Sequence, residues 1–361
     1  MSKPATIQII TDIQPIEGAD RIEVASVLGW KVVVKKGVHS IGEVIIYVEI
    51  DSVLPKLPQY EFIKNTKKNE KGEEKYYVRT IRLRKQISQG LILPITALCA
   101  NNAVVVTNSD NKLKIINIKT EDGTNEAFLE VGLDVSNFLD IQHYEKQIHG
   151  SLSGVAKGNF PSFISKTDEE RLQNIPKILE KLKGQSYYIS TKLDGTSFTA
   201  YYKEGKLGVC SRNLELIENP DNPYWKIAAK YNLLNVLGNH EGGYLAIQGE
   251  LCGPGIQGNP LGLKEVDLFI FNIYNIAKDQ YFNYDELCNF CFDNKLKMVP
   301  VIEKSEPPFK IFDYSLEQLL EMAKGKYEGT DTDREGIVVR SLDMEISFKV
   351  INNDYEEREE K

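Results

Sequence analysis

In Tyr188-Ile189-Ser190-Thr191-Lys192-Leu193-Asp194-Gly195-Thr196-Ser197 an apolar run ends on a lysine and meets a glycine turn at once. The run predicts a strand, with Asp194 two residues past Lys192 and on the same face if the strand continues. A strand-end lysine set in a pocket can lose its proton, because desolvation disfavours its charged form. The neutral amine is then a nucleophile, and the nearby carboxylate would steady the ammonium or hold a metal. A surface lysine before a tight turn satisfies the same residues, so Lys-x-Asp-Gly alone decides little.

Around this segment strands and helices mix. Residues 187–191, 197–202, 244–251, 268–273, 335–340 and 346–351 read as strands. Residues 168–183, 224–236, 284–294 and 316–324 read as helices, the first capped by Thr167 or Asp168. Residues 5–141 look different. Short β-branched runs at 22–27, 31–35, 44–48, 91–94 and 113–118 are parted by turn signals at Glu17-Gly18, Lys71-Gly72 and Asp122-Gly123. With no long amphipathic helix among them, they predict a small antiparallel barrel of the OB type. Gly150, Ser151, Ser153, Gly154, Gly158 and Pro161 mark a linker. The expected architecture is α+β, with an OB-type barrel over 1–145, a linker over 146–165, and a domain of antiparallel sheets and helices over 166–361.

A length of 361 residues fits about two domains. With 42% hydrophobic and 27% charged residues, a disordered, collagen-like or coiled-coil chain is excluded. No run approaches the roughly 18 uncharged apolar residues of a membrane helix, and the first residues lack a signal-peptide core. Five cysteines, an odd number, suit a reducing compartment. The expectation is a soluble intracellular protein, cytoplasmic or nuclear, without membrane partners. The net charge of −8 argues against bulk wrapping by nucleic acid. Residues 64–85 nevertheless carry nine Lys or Arg against three Glu, a net of +6 over 22 residues. Phosphate contacts act locally, so this patch suffices for a nucleic-acid face. The acidic tail over 354–361 is expected to fray.

Three apparent motifs fail. Gly253 to Gly258 spells G-x-G-x-x-G, but Asn259-Pro260-Leu261-Gly262 is a poor start for the helix a dinucleotide site needs. Cys288 and Cys291 spell C-x-x-C without a second pair or a nearby His, so they read as one face of a core helix. His39, His143, His149 and His240 show no triad or metalloprotease spacing.

Lys192-Leu193-Asp194-Gly195 resembles motif I of the covalent nucleotidyltransferases, the group of DNA ligases, RNA ligases and mRNA capping enzymes. Further motifs of that group are matched in order. Ser211-Arg212-Asn213-Leu214-Glu215 is similar to S-R-x-x-E, and Gln248-Gly249-Glu250-Leu251 to the strand bearing the motif III glutamate. Residues 268–274 are similar to the strand whose aromatic stacks on the purine. Glu335-Gly336-Ile337-Val338-Val339-Arg340 resembles motif IV and Ser347-Phe348-Lys349-Val350 motif V. The resemblance implies Lys192 as nucleophile, with Thr191, Arg212, Glu250, Phe271, Glu335 and Lys349 at the nucleotide. Chemistry agrees: a triphosphate needs cations, which Arg212 and Lys349 supply. Glu250 and Glu335 suit ribose hydroxyls, or, with Asp194, hydrated Mg²⁺ or Mn²⁺. Phe271 offers a stacking face. Each residue also has an ordinary alternative: Phe271 as core, Arg212 with Glu215 as a surface ion pair, Glu335 and Arg340 on an exposed strand face. All of these together would leave the ordered spacing unexplained.

Within the superfamily, three features narrow the resemblance. Twelve residues follow Lys349, where DNA ligases and capping enzymes place an OB domain. Ser197 stands where DNA ligases typically carry Arg. The barrel comes first, as in the nick-sealing RNA ligases of the Deinococcus and Naegleria type. Residues 158–163 and 166–174 resemble that family too, and it implies that Arg171 reaches the adenylate. The implied fold is the OB barrel followed by an ATP-grasp-like ligase domain. The implied function is an ATP-dependent RNA ligase that joins 3′-OH and 5′-phosphate ends of nicked or bridged RNA duplexes through lysyl-AMP, acting as a monomer. A GTP-using capping-type guanylyltransferase and a non-catalytic nucleic-acid-binding protein are the alternatives. One departure stands out: many relatives carry K-x-K in motif V, and here Ser347 replaces the first lysine.

Overall fold

The computed structural model describes residues 3–68, 72–101, 104–107, 113–116, 126–144, 155–240 and 244–355. The turn at Asp122-Gly123, Lys71 of the basic stretch, His149, most of the expected linker and the end of the acidic tail lie outside them. The chain divides into two compact units: Met1–Ile148 with Gln173–Ile175, and His149–Leu172 with Pro176–Arg358.

The first unit is β-rich, as its short β-branched runs require. A five-stranded antiparallel sheet has the order Leu91–Pro94, Val44–Val48, Ala5–Pro15, Ile22–Val27, Trp30–Lys35. Its long strand Ala5–Pro15 serves both halves. Ala5 to Ile9 pair with Val44–Val48, and Ile10 to Pro15 pair with Ile22–Val27 across an irregularity at Thr11. Such a bulge bends a strand and lets the sheet coil. Ile7, Ile10, Trp30, Ile45, Tyr47 and Val48 form the centre of the core. The basic stretch expected as a connecting loop and one strand is two strands, Thr66–Lys68 and Glu74–Val78, followed by the hairpin Ile81–Leu83 and Gln86–Ser88.

The second unit holds two sheets. The larger is antiparallel through Ala156–Asn159, Leu214–Leu216, Lys206–Cys210, Thr196–Lys203, Leu245–Cys252, Asp267–Asn275 and Gln280–Tyr281, with Lys297–Met298 added in parallel. Alternation sorts its faces. Phe198, Ala200, Ile247 and Leu251 meet Ile227, Leu233 and Leu287 of the helices Pro223–Lys230, Leu233–Gly238 and Tyr284–Asp293. The smaller sheet has the order Val301–Ser305, Tyr187–Lys192, Gly336–Ser341, Ser347–Ile351. Helices Tyr284–Asp293 and Leu316–Ala323 each begin with a capping box, Asn283 with Glu286 and Ser315 with Gln318.

Two helices and the linker differ from expectation. The helix over 168–183 is reduced to Ile178–Leu182, preceded by a 3₁₀ turn at Leu172–Asn174. Pro176 lacks an amide hydrogen and disfavours helical backbone at Ile175, and Arg171 instead makes a β-bridge to Lys349. The helix over 224–236 breaks at Asn232, which turns left-handed. Ala156–Asn159, inside the expected linker, pairs with Leu214–Leu216, and Phe160, Phe163 and Ile164 pack near Tyr201. Gly253 to Gly258 form turns with no helix after them. Cys291 is buried on a helix, as the core reading required.

Candidate active site

Lys192 ends a strand of the small sheet, and Thr196 opens a strand of the large one. The intervening Leu193-Asp194-Gly195 therefore carries the chain from one sheet to the other. Only glycine fits at 195: a Cβ there would run into the Leu251 carbonyl oxygen and lie 2.7 Å from Cys252 Sγ. The two sheets wall a cavity of about 360 Å³.

The small sheet contributes by register. Lys192 pairs with Gly336, which sets Glu335 beside the lysine, and Val338 pairs with Ser190 on one side and Lys349 on the other. Alternation turns Lys349 to the cavity, while Phe348 and Val350 are fully buried in the core. Lys192 Nζ donates to Glu335 Oε2 at 2.7 Å, both side chains being only about a quarter exposed. The large sheet contributes Glu250 and Phe271. Gln248 pairs with Asn272 and Gly249 with Ile270, so Phe271 is the extra residue of a bulge. Bulges re-aim side chains beside functional sites, and here the ring faces the cavity.

The charges are interdependent. Burial works against the Lys192 ammonium, but Glu335, Glu250 and Asp194 outweigh it and hold its pKa above the ordinary lysine value. Burial raises the Glu250 carboxyl to about 7, with Lys192 opposing the shift. Burial, with Arg171 and Lys192 adding repulsion, lowers Lys349 to about 8. The cavity thus holds a lysine kept in its charged form, a carboxyl raised toward neutrality, and a second lysine lowered to about 8.

Lys192, Thr191, Asp194, Arg212, Glu250, Phe271, Glu335 and Lys349 all line this one cavity. Arg171 is outside its wall but bridges to Lys349. Arg212 donates to Asp168 at 2.8 Å in an exposed pair. Glu215, its partner in the alternative surface-pair reading, faces elsewhere and accepts from Lys157 and from the Tyr201 hydroxyl. Glu335 and Arg340 are not on an exposed strand face. Arg340 is 3% exposed, donates to Glu169 Oε1 at 2.7 Å, and sets its guanidinium 5.8 Å from the Phe271 ring centre. Ser347, the departure from K-x-K noted above, donates its hydroxyl to the same Glu169.

Sequence reasoning missed Tyr327. Its buried hydroxyl donates to the Lys192 carbonyl at 3.2 Å and accepts the amides of Asp194 and Glu335, each at 3.1 Å. One oxygen therefore ties the Lys192 strand end to the glutamate that pairs with it. Tyr355, near the end of the described chain, donates its hydroxyl to Asp194. Neither tyrosine belongs to a recognisable spacing, because both act through contacts distant in sequence.

A model of an OB-fold domain matches residues 4–95, and a model of RNA ligase matches residues 185–351. Solved structures of an RNA ligase from Naegleria gruberi are similar over the whole chain. An apo mutant is 37% identical with a TM-score of 0.84, covering 99% of both chains. A complex titled as containing pyrophosphate is 36% identical with a TM-score of 0.84, covering 100% of this chain and 99% of the other. A mutant titled as containing ATP and Mn is 36% identical with a TM-score of 0.83, covering 99% of both. No curated protein sequence matches the chain. Among the described residues no helix is long and apolar enough to cross a membrane.

Proposed function

The chain belongs to the RNA ligase family, and we propose that it is an ATP-dependent ligase that joins a 5′-phosphate end to a 3′-OH end through lysyl-AMP. One observation carries this reading: Lys192, the phosphate cations Arg212 and Lys349, and the Phe271 ring share one cavity. In the first step neutral Lys192 Nζ attacks the ATP α-phosphorus. A P–N bond forms, the bond to the β-phosphate oxygen breaks, pyrophosphate leaves, and Nζ loses its proton. In the second, an oxygen of the RNA 5′-phosphate displaces Lys192 from the adenylate, and Nζ regains a proton. In the third, the 3′-OH attacks the activated 5′-phosphate and AMP leaves. Splitting one displacement into three keeps each barrier lower.

Arg212 and Lys349 oppose the charge on the phosphates, and Phe271 supports the base. Glu250, Glu335 and Asp194 offer hard carboxylate oxygens around Lys192. That donor set fits Mg²⁺ or Mn²⁺ retaining most of its waters. When bound, the metal neutralises phosphate charge. Among the described residues no three acidic, His or Cys side chains form a ready metal cage.

The preferred RNA is a nicked or bridged duplex, and the OB unit, residues 1–145 in this division of labour, holds its backbone. On that unit Lys67 lies over the rings of Tyr77 and Tyr144, at 5.3 and 5.4 Å, and Lys56 over Tyr76 at 4.8 Å. Tyr76 and Tyr77 alternate along one strand, so these are lysines over aromatic rings on both of its faces, and such lysines suit phosphate contacts without base reading. The test is label transfer from α-phosphate-labelled ATP or GTP with Mg²⁺ or Mn²⁺. Label from ATP that is lost in Lys192→Ala supports the reading. Label from GTP alone would indicate capping chemistry, and no label from folded protein would leave a binding protein.

A further inference from the structure

Gln248 is 1% exposed and sits two residues before Glu250, so alternation places both on the cavity face. Its strand partner Thr199 lines the same cavity. Gln248 Nε2 donates to the Ser165 carbonyl at 2.8 Å. A carbonyl can only accept, so this bond fixes the amide's orientation and makes the other terminal atom an oxygen. That oxygen is buried and has no hydrogen-bond partner. Arg340, on the wall beside Phe271, likewise keeps Nη1 buried and without a partner. Asn272, opposite Gln248 on the next strand, also has an unpartnered oxygen but stays out of the cavity wall. Native proteins rarely leave such atoms unanswered, and an exception calls for a ligand or a water.

Gln248 and Arg340 line the cavity near the Phe271 ring, so a small side-chain adjustment on nucleotide binding would open an acceptor and a donor to it. Adenine presents the complement: a 6-amino donor adjacent to ring-nitrogen acceptors. A base in the same pose with a carbonyl at position 6 would set oxygen against oxygen. We propose that Gln248 Oε1 accepts a hydrogen bond from the adenine 6-amino group and is a determinant of the choice of ATP. Arg340 Nη1 supplies the matching donor to a ring nitrogen. This inference rests on the ATP reading above, and it names the residue that selects the base.

The experiment compares lysine-adenylation rates, as kcat/KM, for ATP, for purine riboside 5′-triphosphate, which has hydrogen in place of the amino group, and for ITP, which has a carbonyl. Wild-type protein should favour ATP over purine riboside triphosphate by about tenfold, the worth of one buried hydrogen bond, and should discriminate more strongly against ITP. Gln248→Leu should lose that factor with ATP and keep its rate with purine riboside triphosphate within about twofold. Equal loss with both nucleotides would mean a structural role and would overturn the proposal. Equal rates for ATP and purine riboside triphosphate in wild-type protein would overturn it too, whether or not the variant folds. No reaction with any of the three would instead sink the ATP reading itself.

Discussion

The two sheets of the second unit supply one cavity in different ways. The small sheet delivers Lys192, Glu335 and Lys349 from strand ends and regular register. The large sheet delivers Glu250 by plain alternation but Phe271 through a bulge. The first set is charged and interdependent, since Glu335 raises the Lys192 pKa and Lys192 helps lower that of Lys349. The second mixes a stacking ring with an amide and one acid. The contrast separates two tasks. In the reading proposed above, the small sheet carries the amine, its nearest carboxylate and a phosphate cation, while the large sheet carries the base-facing groups and one further carboxylate, Glu250, that also raises the Lys192 pKa.

The strongest way to break this division is Glu335→Gln. Removing the partner charge should slow adenylation by about a hundredfold, typical for losing a directed charge at a reacting centre. It should also move the pH–rate profile to lower pH, because Glu335 is what most raises the Lys192 pKa. A slowed reaction with an unmoved profile would place the masking elsewhere. Phe271→Ala should raise the KM for ATP by about tenfold, the loss of one base stack, and leave the profile in place. A shifted profile in that variant would erase the distinction between the sheets.

Tyr327→Phe sharpens the comparison at the seam. With its hydroxyl gone, Lys192 and Glu335 lose their common tie, and the rate should fall by about fivefold for a partner bond of ordinary strength. The profile should shift in the same direction as in Glu335→Gln, by less. A uniform fall with no shift would reduce Tyr327 to a packing role. Lys349, at about 8, is charged below that pH and neutral above it. ATP affinity by calorimetry should therefore weaken severalfold from pH 7 to pH 9, by about the worth of one charge-assisted contact. Lys349→Arg should flatten that dependence.

The smallest effect concerns stability. Glu250 titrates at about 7 in the fold against an ordinary 4.5. Because its folded pKa is raised, the folded state binds more protons than the unfolded state between those values. Stability is then greatest below about 4.5 for this group and declines as pH rises through 7. Glu250→Gln should stabilise the nucleotide-free protein at pH 8 by about 1 kcal/mol, read by thermal unfolding. A destabilised variant would show that its bond from the Gly195 amide outweighs the buried charge.

Much of the site was legible through the ordered motifs that resemble those of the nucleotidyltransferases. Lys192, Asp194, Glu250, Glu335 and Lys349 stand at spacings that strands and one glycine turn convert into a common wall. Less legible was anything that needs a neighbour distant in sequence. The helix expected over 168–183 gave way to a segment in which Glu169 holds Arg340 and Arg171 bridges to Lys349. Glu215 stands in the same motif as Arg212 but faces Lys157 and Tyr201 instead.

Residue order alone determined the strand-end lysine and the β-rich character of the first unit, since these depend on local periodicity and turn chemistry, and the series of motifs was legible by its resemblance to the nucleotidyltransferases. Tertiary structure decided the rest. The bulge that turns Phe271 inward arises from mismatched registers of two paired strands. The masking of Lys192 arises from carboxylates brought in by other strands. The unanswered oxygen of Gln248 exists because Ser165, 83 residues away, occupies the amide's other end. Each requires groups far apart in the chain to share a low-dielectric space, where an unmatched charge or acceptor matters far more than it would in water.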